Sequence, residues 1–81
     1  MLIKMKDDVD FKQLEKFGYE YDKLTNEWTK SLILEGYSLF VVIHENGIIT
    51  IVSNFGDDAW SAESGDIGVS DIENAGLTEN Y

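Results

Sequence analysis

Two apolar spacings organise this chain. The first has a period near three: Phe11, Leu14 and Phe17 recur as one stripe, the spacing of a helix face. Asp10 stands at the N-cap position and Gln13 three residues on completes a capping box, with Val9 and Leu14 at the staple positions. Asp7, Asp8 and Asp10 favour the positive end of such a helix, Lys16 favours its negative end, and Gly18 suits the C′ position. The pattern predicts a short helix, Phe11–Phe17, that is too short to stand alone and must dock on something. Ahead of it, Leu2-Ile3-Lys4-Met5 reads as a short strand.

The second spacing is two. Tyr19-Glu20-Tyr21 alternates, residues 22–26 are turn-like, and Glu27–Leu34 alternates again. Trp28, Lys30, Leu32 and Leu34 share one face of that strand, and Thr29, Ser31 and Ile33 the other. Glu35-Gly36 breaks it. Tyr37–Ile43 and 48–52 are β-prone runs separated by His44-Glu45-Asn46-Gly47. Asn-Gly favours a two-residue type I′ turn. That turn would pair Glu45 with Ile48, His44 with Ile49, Ile43 with Thr50, Val42 with Ile51 and Val41 with Val52. One face would then show Phe40, Val42, Ile49 and Ile51, the other Val41, Val52, Ile43 and Ile48. Both are apolar, and one helix covers only one of them. The C-terminal segment, a second copy or a partner must cover the other.

After Phe55-Gly56 the chain turns to Gly, Ala, Ser and acids, with Trp60 as its one large aromatic before Tyr81, and residues 56–70 read as a loop. Ser70-Asp71-Ile72-Glu73 resembles a second capping box, opening a short helix that stops at Gly76 and docks through Ile72, Ala75 and Leu77. The expected fold is a single α+β domain over 1–81. Residues 1–55 supply a short N-terminal helix packed on a small antiparallel sheet of about four strands; 56–81 supply an acidic loop and a short C-terminal helix.

Eighty-one residues with 43% apolar content suit one small globular domain. The longest apolar run, 39–43, is far short of a membrane span, and the N-terminus carries no signal-peptide core. The expectation is a soluble, cytoplasmic protein without a membrane partner. Charge sharpens this. The first thirty residues hold seven acids and six lysines; residues 31–81 hold nine acids and neither Lys nor Arg. The net charge of −10 is therefore carried almost wholly by the second part. Such a block repels nucleic acid and anionic membranes and attracts basic surfaces.

The catalytic inventory is thin: one His, no Cys, no Arg. His44, beside the turn and opposite Ile49 in the expected register, has no orienting partner visible in the sequence and reads as a solvent-facing turn residue. The acidic loop fails the EF-hand pattern from either start. From Asp57 the ligand positions would hold Ala59, Ser61 and Gly68; from Asp58 they would hold Trp60, Ala62 and Val69. Gly65-Asp66-Ile67-Gly68 lacks the Lys of a phosphate loop. No catalytic residue, metal site or cofactor is expected, and direct nucleic-acid binding is disfavoured.

A folded surface of carboxylates can occupy a groove built for phosphates. Alternate strand residues lie roughly 6.7 Å apart, similar to successive phosphates. The candidate contact residues are Glu35, Glu45, Asp57, Asp58, Glu63, Asp66, Asp71 and Glu73, with Trp60 as the apolar anchor. A surface built only for solubility would intersperse both signs.

Asp10-Phe11-Lys12-Gln13-Leu14-Glu15-Lys16-Phe17-Gly18-Tyr19 resembles the opening of a group of small phage and prophage proteins of Gram-positive bacteria, with its Asp-x-x-x-Leu-x-Lys-Phe-Gly-aromatic pattern. Ala75-Gly76-Leu77-Thr78-Glu79 resembles that group's Ala-Gly-Leu-x-Glu ending. The likeness covers about fifteen residues at the two ends. The chain departs from the group in its Gly/Ser/Asp-rich loop, where the group more often has a hydrophobic helix. The resemblance implies a phage setting, in an infected or lysogenic bacterial host, where small acidic non-enzymatic proteins act as anti-CRISPR proteins or restriction inhibitors. The expected function is a phage-encoded inhibitor bound to the basic nucleic-acid site of a host defence protein, such as an RNA-guided nuclease. The alternative is a self-associating module, a homodimer through the second face of the 37–52 hairpin, whose acidity only keeps it soluble.

Overall fold

A computed structural model describes residues 1–53 and 58–81. The chain runs β1 (Ile3–Met5), a 3-10 segment (Phe11–Phe17), β2 (Glu20–Asp22), β3 (Glu27–Leu34), β4 (Tyr37–Ile43), β5 (Ile49–Ser53), β6 (Ala59–Ser61), a 3-10 turn (Ile67–Val69), α1 (Ser70–Asn74) and β7 (Thr78–Asn80). Strands β2 to β6 form a five-stranded antiparallel meander in chain order, and β1 pairs with β7 in a separate two-stranded ribbon. Single bridges, Lys4 with Ile48 and Leu2 with Glu63, tie the ribbon to the meander.

This overturns the expected helix on four strands. The segment Phe11–Phe17 has the expected bounds, with Asp10 at its N-cap and Gly18 at its C-cap, but is 3-10, not α, and the Asp10 side chain takes the Lys12 N–H and not the Gln13 N–H of a capping box. The Asp10 side chain accepts from Lys12 N, and Gln13 N donates to the Asp10 carbonyl. Both bonds tighten the first turn toward the i→i+3 pattern that short segments adopt. Among the described residues the one α-helix is α1, of five residues. The loop expected over 56–70 contains β6 and the Ile67–Val69 turn. Strand β7 carried too short a pattern to be predicted.

The second capping box does not form. The 3-10 turn runs directly into α1, so Ser70 already has helical angles (φ −59°, ψ −35°) instead of the extended ones a cap needs. Its hydroxyl donates back to the Ile67 carbonyl. Gly76, at φ 78°, ends the helix as expected.

The hairpin register is one residue away from the expected one. Ile43 pairs with Ile49, Val42 with Thr50, Val41 with Ile51 and Phe40 with Val52. The loop holds three residues, Glu45-Asn46-Gly47, closed by His44 N to Ile48 O (2.9 Å) and Gly47 N to His44 O (2.8 Å). Gly47 alone takes the left-handed conformation, at φ 90°. That is a type I turn followed by a bulge, not a type I′ turn. A one-residue slip moves a strand's whole side-chain set to the other face. Here it puts Leu39, Val41, Ile43, Ile49 and Ile51 on one side, all buried. Phe40, Val42, Thr50 and Val52 form the other, partly exposed side.

The buried face is the floor of the core. Ile3, Met5, Leu14, Tyr19, Val69, Ile72 and Leu77 roof it, with Trp28 at the β3 end of the floor. Gly68 lies so close that a Cβ there would sit 3.2 Å from Val41 Cγ2 and 3.4 Å from Ile51 Cδ1. The C-terminal segment thus covers the same face as the N-terminal one. No helix among the described residues is long and apolar enough to cross a membrane.

Gly47 joins the register to the ribbon: its carbonyl accepts from Met5 N at 2.9 Å, and a Cβ on it would lie 3.2 Å from the Met5 carbonyl oxygen. Gly47→Ala is expected to cost about 1–3 kcal/mol, from the left-handed φ and this approach. The check is urea unfolding, with a lower midpoint and an unchanged m-value.

Candidate interaction surface

The acids after Lys30 are mostly held, not dangling. Asp71 Oδ2 meets Lys30 Nζ at 2.7 Å, tying α1 to β3 with both side chains largely buried. The same ammonium lies 5.3 Å from the centre of the Tyr19 ring. Glu73 accepts from Gly65 N at 2.9 Å and from the Ser64 hydroxyl. Asp66 Oδ2 accepts from Glu63 N at 2.9 Å and from the Trp60 indole at 3.3 Å. Glu63 itself lies 3.5 Å from the N-terminal ammonium. Asp66 and Glu73 therefore fix residues 60–66 through uncharged donors. The donors lower the Glu73 carboxyl below the ordinary glutamate range, the Ser64 hydroxyl most, then the Gly65 N–H.

Around β6 the structure gathers Asp58, Trp60, Glu63 and Asp66. Trp60 lies opposite Ile51, on the core side of the sheet, but is 38% exposed. Its indole bond to Asp66 holds it at the surface. Asp57 lies outside the described residues. Glu35 and Glu45 occupy the turns at opposite ends of β4, on the order of 20 Å apart at strand rise. Asp71 is neutralised by Lys30. The candidate residues thus form one group about β6, with Glu73 anchoring its turn and Glu35 and Glu45 standing apart.

Acids at strand spacing do occur, but on β2: Glu20 and Asp22 share the outer face of the sheet, and Asp22 pairs with Glu27 on β3. The alternation Glu20-Tyr21-Asp22 signalled this in the sequence, in the half that carries the lysines.

The sequence reading also missed a network on the outer face. His44 Nδ1 lies 2.6 Å from Glu27 Oε2, and Nε2 lies 2.9 Å from Thr50 Oγ1. A carboxylate only accepts, so Nδ1 carries the proton toward Glu27, and in the neutral ring Nε2 accepts from the Thr50 hydroxyl. His44 is therefore oriented, contrary to expectation, because the observed register brings Thr50 beside it and the β3–β4 pairing brings Glu27. The order carboxylate, imidazole, hydroxyl is that of a nucleophilic triad. It stands on an open sheet face, however, and ties β3, β4 and β5 together.

Two concavities accompany these groups. One, of about 250 Å³, lies between β3 and the 67–71 segment, lined by Leu32, Leu34, Ile67 and the Lys30–Asp71 pair. The other, of about 220 Å³, is lined by Gly18, Glu20, Thr29 and Phe40 among others. Neither includes Glu27, His44 or Thr50. Among the described residues no group of three or more His, Cys, Asp or Glu is placed to hold a metal ion. Comparison with family models, with curated proteins and with solved structures found no match.

Two titrations test this arrangement. A glutamate lowered in the fold adds stability above its unfolded pKa, and that contribution is lost as pH falls through the folded value. Acidification below ~pH 4 is therefore expected to free Ser64-Gly65 from α1. Gly65 amide exchange should accelerate there, and Glu73→Gln should remove the pH dependence. Tyr19 is the opposite case. Its hydroxyl is buried without a hydrogen-bond partner among the described residues. Burial, and then the Asp71 carboxylate, push the phenol well above its ordinary value. A raised group contributes its stability below the unfolded pKa and loses it above, so stability should fall once pH passes ~10. Tyr19→Phe should remove that fall and leave neutral-pH stability equal or up to about 1 kcal/mol higher, as read by urea unfolding at both pH values.

Proposed function

We propose that this chain is a phage-encoded, non-enzymatic inhibitor whose acidic surface about β6 docks on the basic nucleic-acid-binding site of a host defence protein. An RNA-guided nuclease is the partner we favour, because its channel is lined with positive charge for a nucleic-acid backbone. The observation that carries the reading is the one-sided charge: nine acids and no Lys or Arg in residues 31–81. Its support in the fold is that the last lysine, Lys30, is consumed by Asp71. Asp66 and Glu73 are meanwhile fixed in place by uncharged donors. A charged surface fixed before binding loses less conformational freedom on docking.

A second reading has its own observation. The outer face of the 37–52 hairpin shows Phe40, 41% exposed, beside half-buried Val42 and Val52. A homodimer through that face would leave the acids a solubilising role.

The discriminating measurement is competition. The protein should displace DNA from a catalytically inactive RNA-guided nuclease, less well as salt rises. Combining Asp57→Asn, Asp58→Asn and Glu63→Gln should weaken this by about tenfold, which is ~1.4 kcal/mol. Unchanged displacement by the combined variant at low salt would sink the acidic-surface reading. A tight dimer in sedimentation with no affinity for polycations would favour the second one.

A further inference from the structure

Strand β6 closes one side of the meander and, among the described residues, has no strand beyond it. Asp58 O accepts from Ser53 N and Ala62 N donates to Ile49 O, each at 2.9 Å. Trp60, midway between them, faces Ile51 in the ladder. Hydrogen-bonded and non-hydrogen-bonded pairs alternate along an antiparallel ladder. Positions 58 and 60 and the Ala62 N–H therefore point at β5, while the Ala62 carbonyl accepts from Ile3 N at 3.0 Å. Ala59 and Ser61 point their main-chain groups away from the sheet, and among the described residues no turn or loop hydrogen bond uses them. The next outward position, Glu63, is closed: its N–H donates to Asp66, and Leu2 bridges to it. The open edge thus offers two N–H and two C=O groups.

Exposed edges are commonly blunted by Lys, Pro, a bulge or a covering element. Ala59-Trp60-Ser61 carries neither Lys nor Pro, and all three residues are exposed. The occupant follows from charge. Asp58 and Glu63 flank the edge, and Asp66 stands at the Trp60 indole. A second copy would set these acids against themselves, and like charges across a strand pair are destabilising. Each copy would also bring a net charge of −10. A basic strand meets the opposite sign at every one of these positions.

We propose that β6 takes an extended, lysine- or arginine-rich segment of the partner by strand addition, with Ala59 and Ser61 supplying the main-chain hydrogen bonds and Trp60 packing against one of its side chains. This rests on the acidic-surface reading above and adds a mode of recognition to it: main-chain pairing as well as charge.

Two peptides of equal charge separate the two ideas, one alternating Lys and Val, the other alternating Lys and Pro. The second cannot form a ladder. At low salt, wild-type protein should bind the Lys-Val peptide about tenfold tighter. The amides of Ala59 and Ser61 should gain protection from hydrogen exchange on binding. In Ser61→Pro, which removes an outward N–H, Lys-Val affinity should drop to the Lys-Pro level while Lys-Pro binding stays as it was. Equal affinities with no protection at Ala59 and Ser61 in the wild-type protein would overturn strand addition and leave the charge reading standing. Binding of neither peptide would overturn both. Protection of these amides by concentration-dependent dimerisation alone would give the edge to a second copy and overturn the basic occupant.

Discussion

The register of the β4–β5 hairpin is the constraint on which the remaining structure depends. Five apolar side chains, Leu39, Val41, Ile43, Ile49 and Ile51, reach the same face only because the loop holds three residues with Gly47 left-handed. With a two-residue loop the same residues would divide between two faces, and the roof would have no complete floor. The Met5 and Gly68 contacts, the burial of Ile72 and the bridge from β1 all presuppose that floor. Side-chain packing selects the register and the turn follows, since burying one more branched side chain is worth ~2 kcal/mol, more than the preference of Asn-Gly for one turn type over another.

A chain without Lys or Arg in its last 51 residues has to secure that part by other means. It does so with carboxylates used as acceptors. Asp66 takes the Glu63 N–H and the Trp60 indole, Glu73 clasps the Ser64-Gly65 turn, and Asp71 reaches back to Lys30. Acids that looked like free surface charge are structural fasteners. That role explains how so acidic a segment stays on the core: the repulsion among them is offset one contact at a time by N–H, O–H and indole donors.

Much of this was legible from local pattern. The bounds of Phe11–Phe17, Glu27–Leu34 and Tyr37–Ile43 follow from spacing and from Gly18 and Gly36. The stop at Gly76 follows from the need for a left-handed residue there. The type of the first helix did not follow, because α and 3-10 share a spacing of about three over seven residues. Strand β6 was hidden because three residues carry no period. The Glu27–His44–Thr50 network was hidden because its members meet only through two strand pairings, one of which hangs on the register. Which of the candidate acids share a surface is a matter of topology.

The sequence by itself determined the elements long enough to show a period, the side of β3 that faces inward, and the concentration of negative charge after Lys30. These depend on neighbours within a few residues, or on composition alone. Tertiary structure decided the register, the pairing of β1 with β7, the merger of the Ile67–Val69 turn with α1, and which acids stand free. Each of those is a competition between local preference and the burial of a shared apolar face. In a chain of 81 residues, with so little core to bury, the face wins.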